Sequence, residues 1–254
     1  MERLLEATAR AEQRHFWFRG LRRFVRPLLV RATEDYPHPD ILDCGCGTGT
    51  NLGVLADYGL SRGIDRAWAG VRRARAAGRH VGQATVTHLP FPDARFHLVT
   101  SFDVLYCLDS EDERSAVSEM FRVLRPGGRV IVNVAAMPIL TGNHSVLAHE
   151  VRRYTAPGLR VLLERAGFGV ERITYTNTAM LPILVPLRLM QRALGLVRED
   201  DEDAEREMQV PSRPINALLN RMLAVEAALV RHVDLPCGSS LLAMARKPAA
   251  GGPG

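Results

Sequence analysis

The segment Ile41-Leu42-Asp43-Cys44-Gly45-Cys46-Gly47-Thr48-Gly49 joins a short apolar run to a helix expected to start at Asn51. Glycines at 45, 47 and 49 let the backbone turn sharply and come close to a ligand without a Cβ in the way. Asp43 precedes them inside the expected strand, and Asp65 follows 22 residues later at the end of Gly63-Ile64-Asp65. A carboxylate placed about 20 residues after such a loop can accept both hydroxyls of a ribose. The dinucleotide fingerprint G-x-G-x-x-G fits less well, because Thr50 stands where its third glycine belongs. A second concentration of polar groups runs through Asn143-His144-Ser145 and His149-Glu150-Val151-Arg152-Arg153-Tyr154. Histidine takes up a proton near neutral pH. His144, His149 and Tyr154 are therefore candidate catalytic residues, bordering one volume together with Tyr106. The other reading of the same stretch is a capped loop with exposed histidines.

Alternating strands and helices must position these groups. Residues 3–30 read as a helix, broken by Pro37 and Pro39 ahead of a strand at Ile41–Cys44. Helices at Asn51–Tyr58, Ala67–Ala77 and Glu111–Leu124 then alternate with strands at Arg62–Ile64, His80–Ala84, Phe96–Ser101 and Arg129–Ala135. Such alternation specifies a parallel sheet with helices on both faces, whose ligand crevice lies at the carboxyl ends of the strands. Further on come a helix at Ala156–Ala166 and a strand at Gly169–Tyr175, whose partner strand, Ser239–Ala245, follows only after about 60 residues, far beyond a hairpin turn. That insert holds a proline-broken apolar stretch at 180–197, an acidic run at Glu199–Glu207 and a helix at Ile215–Val233. Leu187, Met190, Leu194 and Val197 share one face of the apolar stretch, with Arg188 and Gln191 turned away. This predicts a lid over the site that touches a membrane when an apolar ligand is delivered.

Composition excludes other classes. Of 33 Lys and Arg residues only Lys247 is lysine, which reads as a compositional bias. Arg72, Arg73, Arg75 and Arg79 read as a solvated helix face, and without a long basic stripe or a reading motif no nucleic-acid partner is expected. Cys44, Cys46, Cys107 and Cys237 form no C-x-x-C pair, so neither a zinc site nor a disulfide scaffold is expected. The N-terminus carries charges throughout, and no run reaches the roughly 20 apolar residues of a membrane span. A cytoplasmic protein is expected.

The chain resembles the class I S-adenosylmethionine-dependent methyltransferases, of the bacterial type 11-like branch. Besides the loop, the resemblance rests on three segments in order. These are His15-Phe16-Trp17-Phe18-Arg19-Gly20, His88-Leu89-Pro90-Phe91-Pro92-Asp93-Ala94-Arg95-Phe96 and Val123-Leu124-Arg125-Pro126-Gly127-Gly128-Arg129-Val130. It implies an α/β, Rossmann-like, doubly wound sheet of seven strands with the last antiparallel. The chain would then be a single domain over 1–254: a helical cap (1–36), a cofactor-binding core (37–177), a helical insert (178–238), the last strand (239–247) and a disordered tail (248–254). It further implies S-adenosylmethionine as cofactor, bound by Trp17, Arg19, Asp43, Gly45, Cys46, Gly47, Asp65, Arg66, Gln83, Ala84, Ser101 and Phe102. Trp17 and Phe16 either close over the cofactor or pack the cap on the sheet. Two positions depart from the family pattern. Gln83 replaces the acidic residue that accepts from the adenine amino group, a bond its amide oxygen still offers. His97 takes an acidic place in the fourth strand and reads as a neutral imidazole with one partner. The activity implied is methyl transfer to a small-molecule or lipid-like acceptor; the alternative is a non-catalytic cofactor-binding module that regulates a partner through the insert.

Overall fold

The computed structural model describes residues 11–141, 150–193 and 210–249. Helix α1 (Phe16–Thr33) is separated from the helical Ala11 by a turn at 12–15, so the continuous helix expected over 3–30 is interrupted there. His15 is extended and its Nδ1 accepts the Trp17 N–H, which ends the helix in the N-terminal direction. The core follows as β1 (Asp40–Cys44), α2 (Thr50–Leu55), β2 (Leu60–Asp65), α3 (Trp68–Ala76), β3 (Val81–Gln83), β4 (Phe96–Phe102), α4 (Ser110–Val123) and β5 (Leu124–Ala135). Asp109 caps α4, accepting the N–H groups of Glu111 and Asp112. Then come α5 (Ala156–Arg165), β6 (Gly169–Thr176), α6 (Leu181–Ala193), α7 (Arg213–Val230) and β7 (Ser240–Arg246).

The seven strands lie in the order β3-β2-β1-β4-β5-β7-β6. β7 runs antiparallel to both β5 and β6, and the other pairings are parallel. The sheet is thus the Rossmann-like, doubly wound sheet with a reversed last strand that the alternation and the resemblance lead one to expect. Ile41, Leu42, Leu98, Val99, Ile131 and Val132 are fully buried, as strands covered on both faces require. One face carries Val99, Val130, Val132 and Leu241 under α4 and α5. The other carries Ile41, Leu98, Ile131 and Leu242 under α1, α2, α7 and the 3-10 turn at Thr178–Met180.

The insert corrects one expectation. α6 runs through Pro186 instead of breaking there, and its polarity is the reverse of that predicted. Arg188 is buried at 8% exposure and donates to Gln191, while Leu187 and Met190 are 37% and 52% exposed. Met180 and Leu184 pack into the core, and the inward stripe continues at helical spacing to Arg188 and Gln191. Leu194, Val197 and the acidic run lie outside the described residues. His97 is the neutral imidazole expected: its Nδ1 accepts the Asp40 N–H at 3.0 Å, and burial lowers its pKa.

Candidate functional site

Parallel pairing brings the carboxyl ends of β1, β2, β3 and β4 to one edge of the sheet. The glycine loop leaves β1 there, with the N–H groups of Gly45 and Cys46 both donating to Ile64 O at 2.8 and 2.9 Å. Gly45 has φ +79°, and a Cβ on it would lie 2.3 Å from Val104 Cγ2. Gly47, at φ +54°, meets nothing within 4 Å of its Cβ position, so the loop is open on that side. Cys46 is buried beside Gly63, and burial pushes its thiol pKa up.

Asp65, at the end of β2, ties the loop to the next helix. Its Oδ2 accepts the Gly47 N–H and its Oδ1 the Ala67 N–H, each at 2.8 Å. Asp43 is buried in β1 and accepts from Thr100 Oγ1 at 2.7 Å. Burial raises its pKa to about 7, with Thr100 opposing and the Asp65 charge adding to the rise. Gln83, exposed at the end of β3, donates Nε2 to the Arg66 carbonyl at 3.1 Å. Its Oε1 is thereby the atom left to accept. The Ala84 N–H donates to Asp65 O. Ser101, at the end of β4, is buried, and its Oγ has no hydrogen-bond partner; Phe102 beside it packs against the core.

The cap reaches this loop by a route absent from the sequence reading. Glu12 Oε2 accepts from Thr48 Oγ1 at 2.6 Å and from Thr50 Oγ1. Asn216 of α7 accepts the Phe16 N–H and donates to Arg14 O, fastening the cap to the insert. Phe16 packs against the core, and Trp17 meets it edge-on with ring centroids 6.5 Å apart. Arg19 and Arg66 are exposed.

Beyond β4 and β5 the edge carries three non-glycine residues at positive φ: Asp103 (+61°), Met137 (+58°) and Asn177 (+62°). Asn133 Oδ1, Asn177 Oδ1 and Ser239 Oγ are buried there without a partner. Burial is also the main cause that raises Asp103 to about 7 and pushes the Cys107 thiol up to about 12. Asp103, Asn133 and Glu12 were not singled out from the sequence. The signal for Asp103 is an aspartate directly after a strand, a residue type that tolerates the left-handed region. Tyr154 is buried and its hydroxyl donates to Glu113, which also takes Arg152 Nη1 at 2.8 Å. His144 and His149 lie outside the described residues. No cluster of three or more metal-ligating side chains occurs among the described residues.

This loop, with a ribose-type carboxylate one strand over, defines the class of protein. A family model described as "Methyltransferase domain" matches residues 42–132. A ubiquinone/menaquinone biosynthesis C-methyltransferase of Vibrio cholerae is 33% identical over 201 residues, covering 62% of this chain and 74% of that protein. A Mycolicibacterium smegmatis protein named "Probable S-adenosylmethionine-dependent methyltransferase" is 32% identical over 164 residues, 63% of this chain. The chain spans 62% of the length of that relative. A solved S-adenosylmethionine-dependent methyltransferase from Mesorhizobium loti shares the fold, with a TM-score of 0.56 at 19% identity over 88% of this chain and 98% of that one. The chain belongs to the class I S-adenosylmethionine-dependent methyltransferases, a family whose cofactor is S-adenosylmethionine. The residues present fit that cofactor: the loop is open at Gly47, Gln83 offers Oε1 to an amino group, and Asp65 is held by two backbone N–H groups at ribose reach of the loop.

Proposed function

We propose that the protein transfers the methyl group of S-adenosylmethionine to a small-molecule or lipid-like acceptor. The observation that carries this reading is Asp65, fixed between Gly47 and Ala67 at the end of β2 with lone pairs left for two ribose hydroxyls. When bound, the cofactor supplies an activated methyl group on a positively charged sulfur. The chain's own part is to hold that group, exclude water and orient the acceptor, since near-attack geometry supplies most of the rate of an in-line transfer. Asp43, Gly45, Cys46 and Gly47 shape the loop, and Gln83, Ala84, Ser101 and Phe102 border the base and the reacting end. Trp17, Arg19 and Arg66 flank the opening.

The acceptor enters between the segment after β5 and the insert. His144, His149 and Tyr154 are its proposed polar contacts, Tyr154 as an acceptor only, since its hydroxyl proton is already given to Glu113. α6 packs beside the 3-10 turn at Pro138–Leu140, in keeping with its role as a lid. Ile183, Leu187 and Met190 of α6, with Leu218, Val225 and Leu229 of α7, are exposed aliphatic surface that suits an apolar acceptor. No helix among the described residues is long and apolar enough to cross a membrane, so contact with one would be peripheral. No disulfide joins the four cysteines, which suits a reducing compartment, and we place the enzyme in the cytoplasm.

Labelled-methyl transfer from S-adenosylmethionine into fractionated cell extract, read by mass spectrometry, tests the activity; calorimetry reads cofactor binding separately. Binding with label in one product class is expected, and no binding would overturn the reading. Co-sedimentation with anionic vesicles at low salt tests the membrane contact, and its absence would leave α6 as a lid alone.

A further inference from the structure

Asp103 is the first residue after β4, and Asn133 of β5 grips it twice. The Asp103 N–H donates to the Asn133 carbonyl at 2.9 Å, and Asn133 Nδ2 donates to Asp103 Oδ1 at 2.8 Å. That grip holds a non-glycine residue at φ +61°, a backbone state that clusters at functional sites. It also leaves Asn133 Oδ1 buried with no donor facing it. Buried polar atoms are nearly always paired, so an unpartnered one beside this carboxylate leaves a bond for a ligand group to make.

We propose that Asp103 takes the acceptor's proton, with Asn133 as its positioning residue, and that the acceptor therefore bears an O–H, N–H or acidic C–H at the atom methylated. The inference rests on the function proposed above. In the step the acceptor's electron pair forms the bond to the methyl carbon. The bond from that carbon to sulfur breaks, leaving a neutral thioether, and the acceptor's proton ends on the Asp103 carboxylate. Burial is the largest cause that holds this carboxyl at about 7, with Asn133 opposing and Glu150 adding, so near neutrality it both accepts and releases a proton.

The charged and titratable neighbours place the group. Tyr106 and Cys107 face it from the 3-10 turn at Leu105–Cys107, and Glu150 faces it from the segment after β5, held there by Arg153. Arg66, after β2, acts on the same Cys107 thiol that Asp103 and Glu150 act on. Asp103 stands at the carboxyl end of β4, between β1 and β5. The Val151 N–H donates to Tyr106 O at 2.8 Å, which brings the segment after β5 beside the turn that follows Asp103, on the side where the methyl group must point.

Carboxyl infrared difference spectra of wild type against Asp103→Asn, titrated with pH, test this without knowing the acceptor. We expect a band that titrates near pH 7 in wild type and is missing in the variant. S-adenosylmethionine should lower its midpoint by about one unit or more, because a cation nearby favours the carboxylate, and neutral S-adenosylhomocysteine should not. Asn133→Ala should move the midpoint while cofactor affinity holds. In the labelled-methyl assay Asp103→Asn should lose transfer by about 10²–10⁴-fold, the size of a lost general base. If Asp103→Asn does not fold, the difference between the two cofactor forms is read on the wild-type band that Asn133→Ala moves, which separates it from Asp43. Equal shifts with both compounds, or full transfer by a variant that binds cofactor, would overturn this assignment alone. A protein that binds neither compound overturns the function itself, and the assignment with it.

Discussion

On the β1–β2–β3 side of the strand edge Asp43 holds Thr100, Asp65 holds Gly47 and Ala67, and Gln83 holds the Arg66 carbonyl. On the β5–β7–β6 side Asn133, Asn177 and Ser239 keep buried oxygens without partners, and Asp103, Met137 and Asn177 sit at positive φ. In the first half each of these side chains is fastened before any ligand binds, with acceptor positions on Asp65 and Gln83 left over, as suits a site for one invariant cofactor. The second half is left polar and strained, as suits a site that the acceptor completes.

The contrast can be broken by substitution. Asp65→Ala should weaken S-adenosylmethionine binding at least about tenfold, since bonds to a charged group contribute about 1.5–3 kcal/mol and the loop loses its tie as well. Calorimetry on the folded variant showing unchanged affinity would remove Asp65 from the site. Thr100→Val, nearly isosteric, strips the hydroxyl from buried Asp43 and should cost about 1–3 kcal/mol in a denaturant titration.

The pH dependence sharpens the same point. Asp43 titrates at about 7 in the folded chain, against about 3.9 when unfolded. The folded state therefore holds an extra proton between these values. The stability this contributes is complete below about pH 4 and is lost as pH rises through 7. Wild type should lose melting temperature relative to Asp43→Asn between pH 5 and pH 8, and parallel curves in thermal scans would contradict the buried, neutralised carboxyl. The smallest effect belongs to the other half. Ser239→Ala removes a hydroxyl that bonds nothing, so stability should stay within about 1 kcal/mol of wild type or rise. A clear loss in the same titration would show that Ser239 has a partner and would blur the contrast.

Much of the first half was legible because its parts are neighbours in sequence. The glycines, the helix after them and Asp65 fall within one strand-helix-strand unit, so spacing alone fixes where they meet. The second half is assembled from a distance. Asn133 lies 30 residues from Asp103, and Glu12 lies 36 and 38 residues from Thr48 and Thr50. Nothing local records such pairs. The facing of α6 was misread for another reason: Leu, Ile, Val and Met surround most of that helix, so more than one apolar stripe can be drawn on it.

By itself the sequence determined the alternation of strands and helices, the open loop with its carboxylate and the family to which the chain belongs. These are set by local spacing, by backbone states that glycine makes accessible and by the side-chain period of each element. Only the tertiary structure decided that Asp103 is gripped by Asn133, that Glu12 reaches the loop and that Arg188 turns inward. Each depends on which strands become neighbours and which helix face finds room, and that is settled by packing over the whole chain.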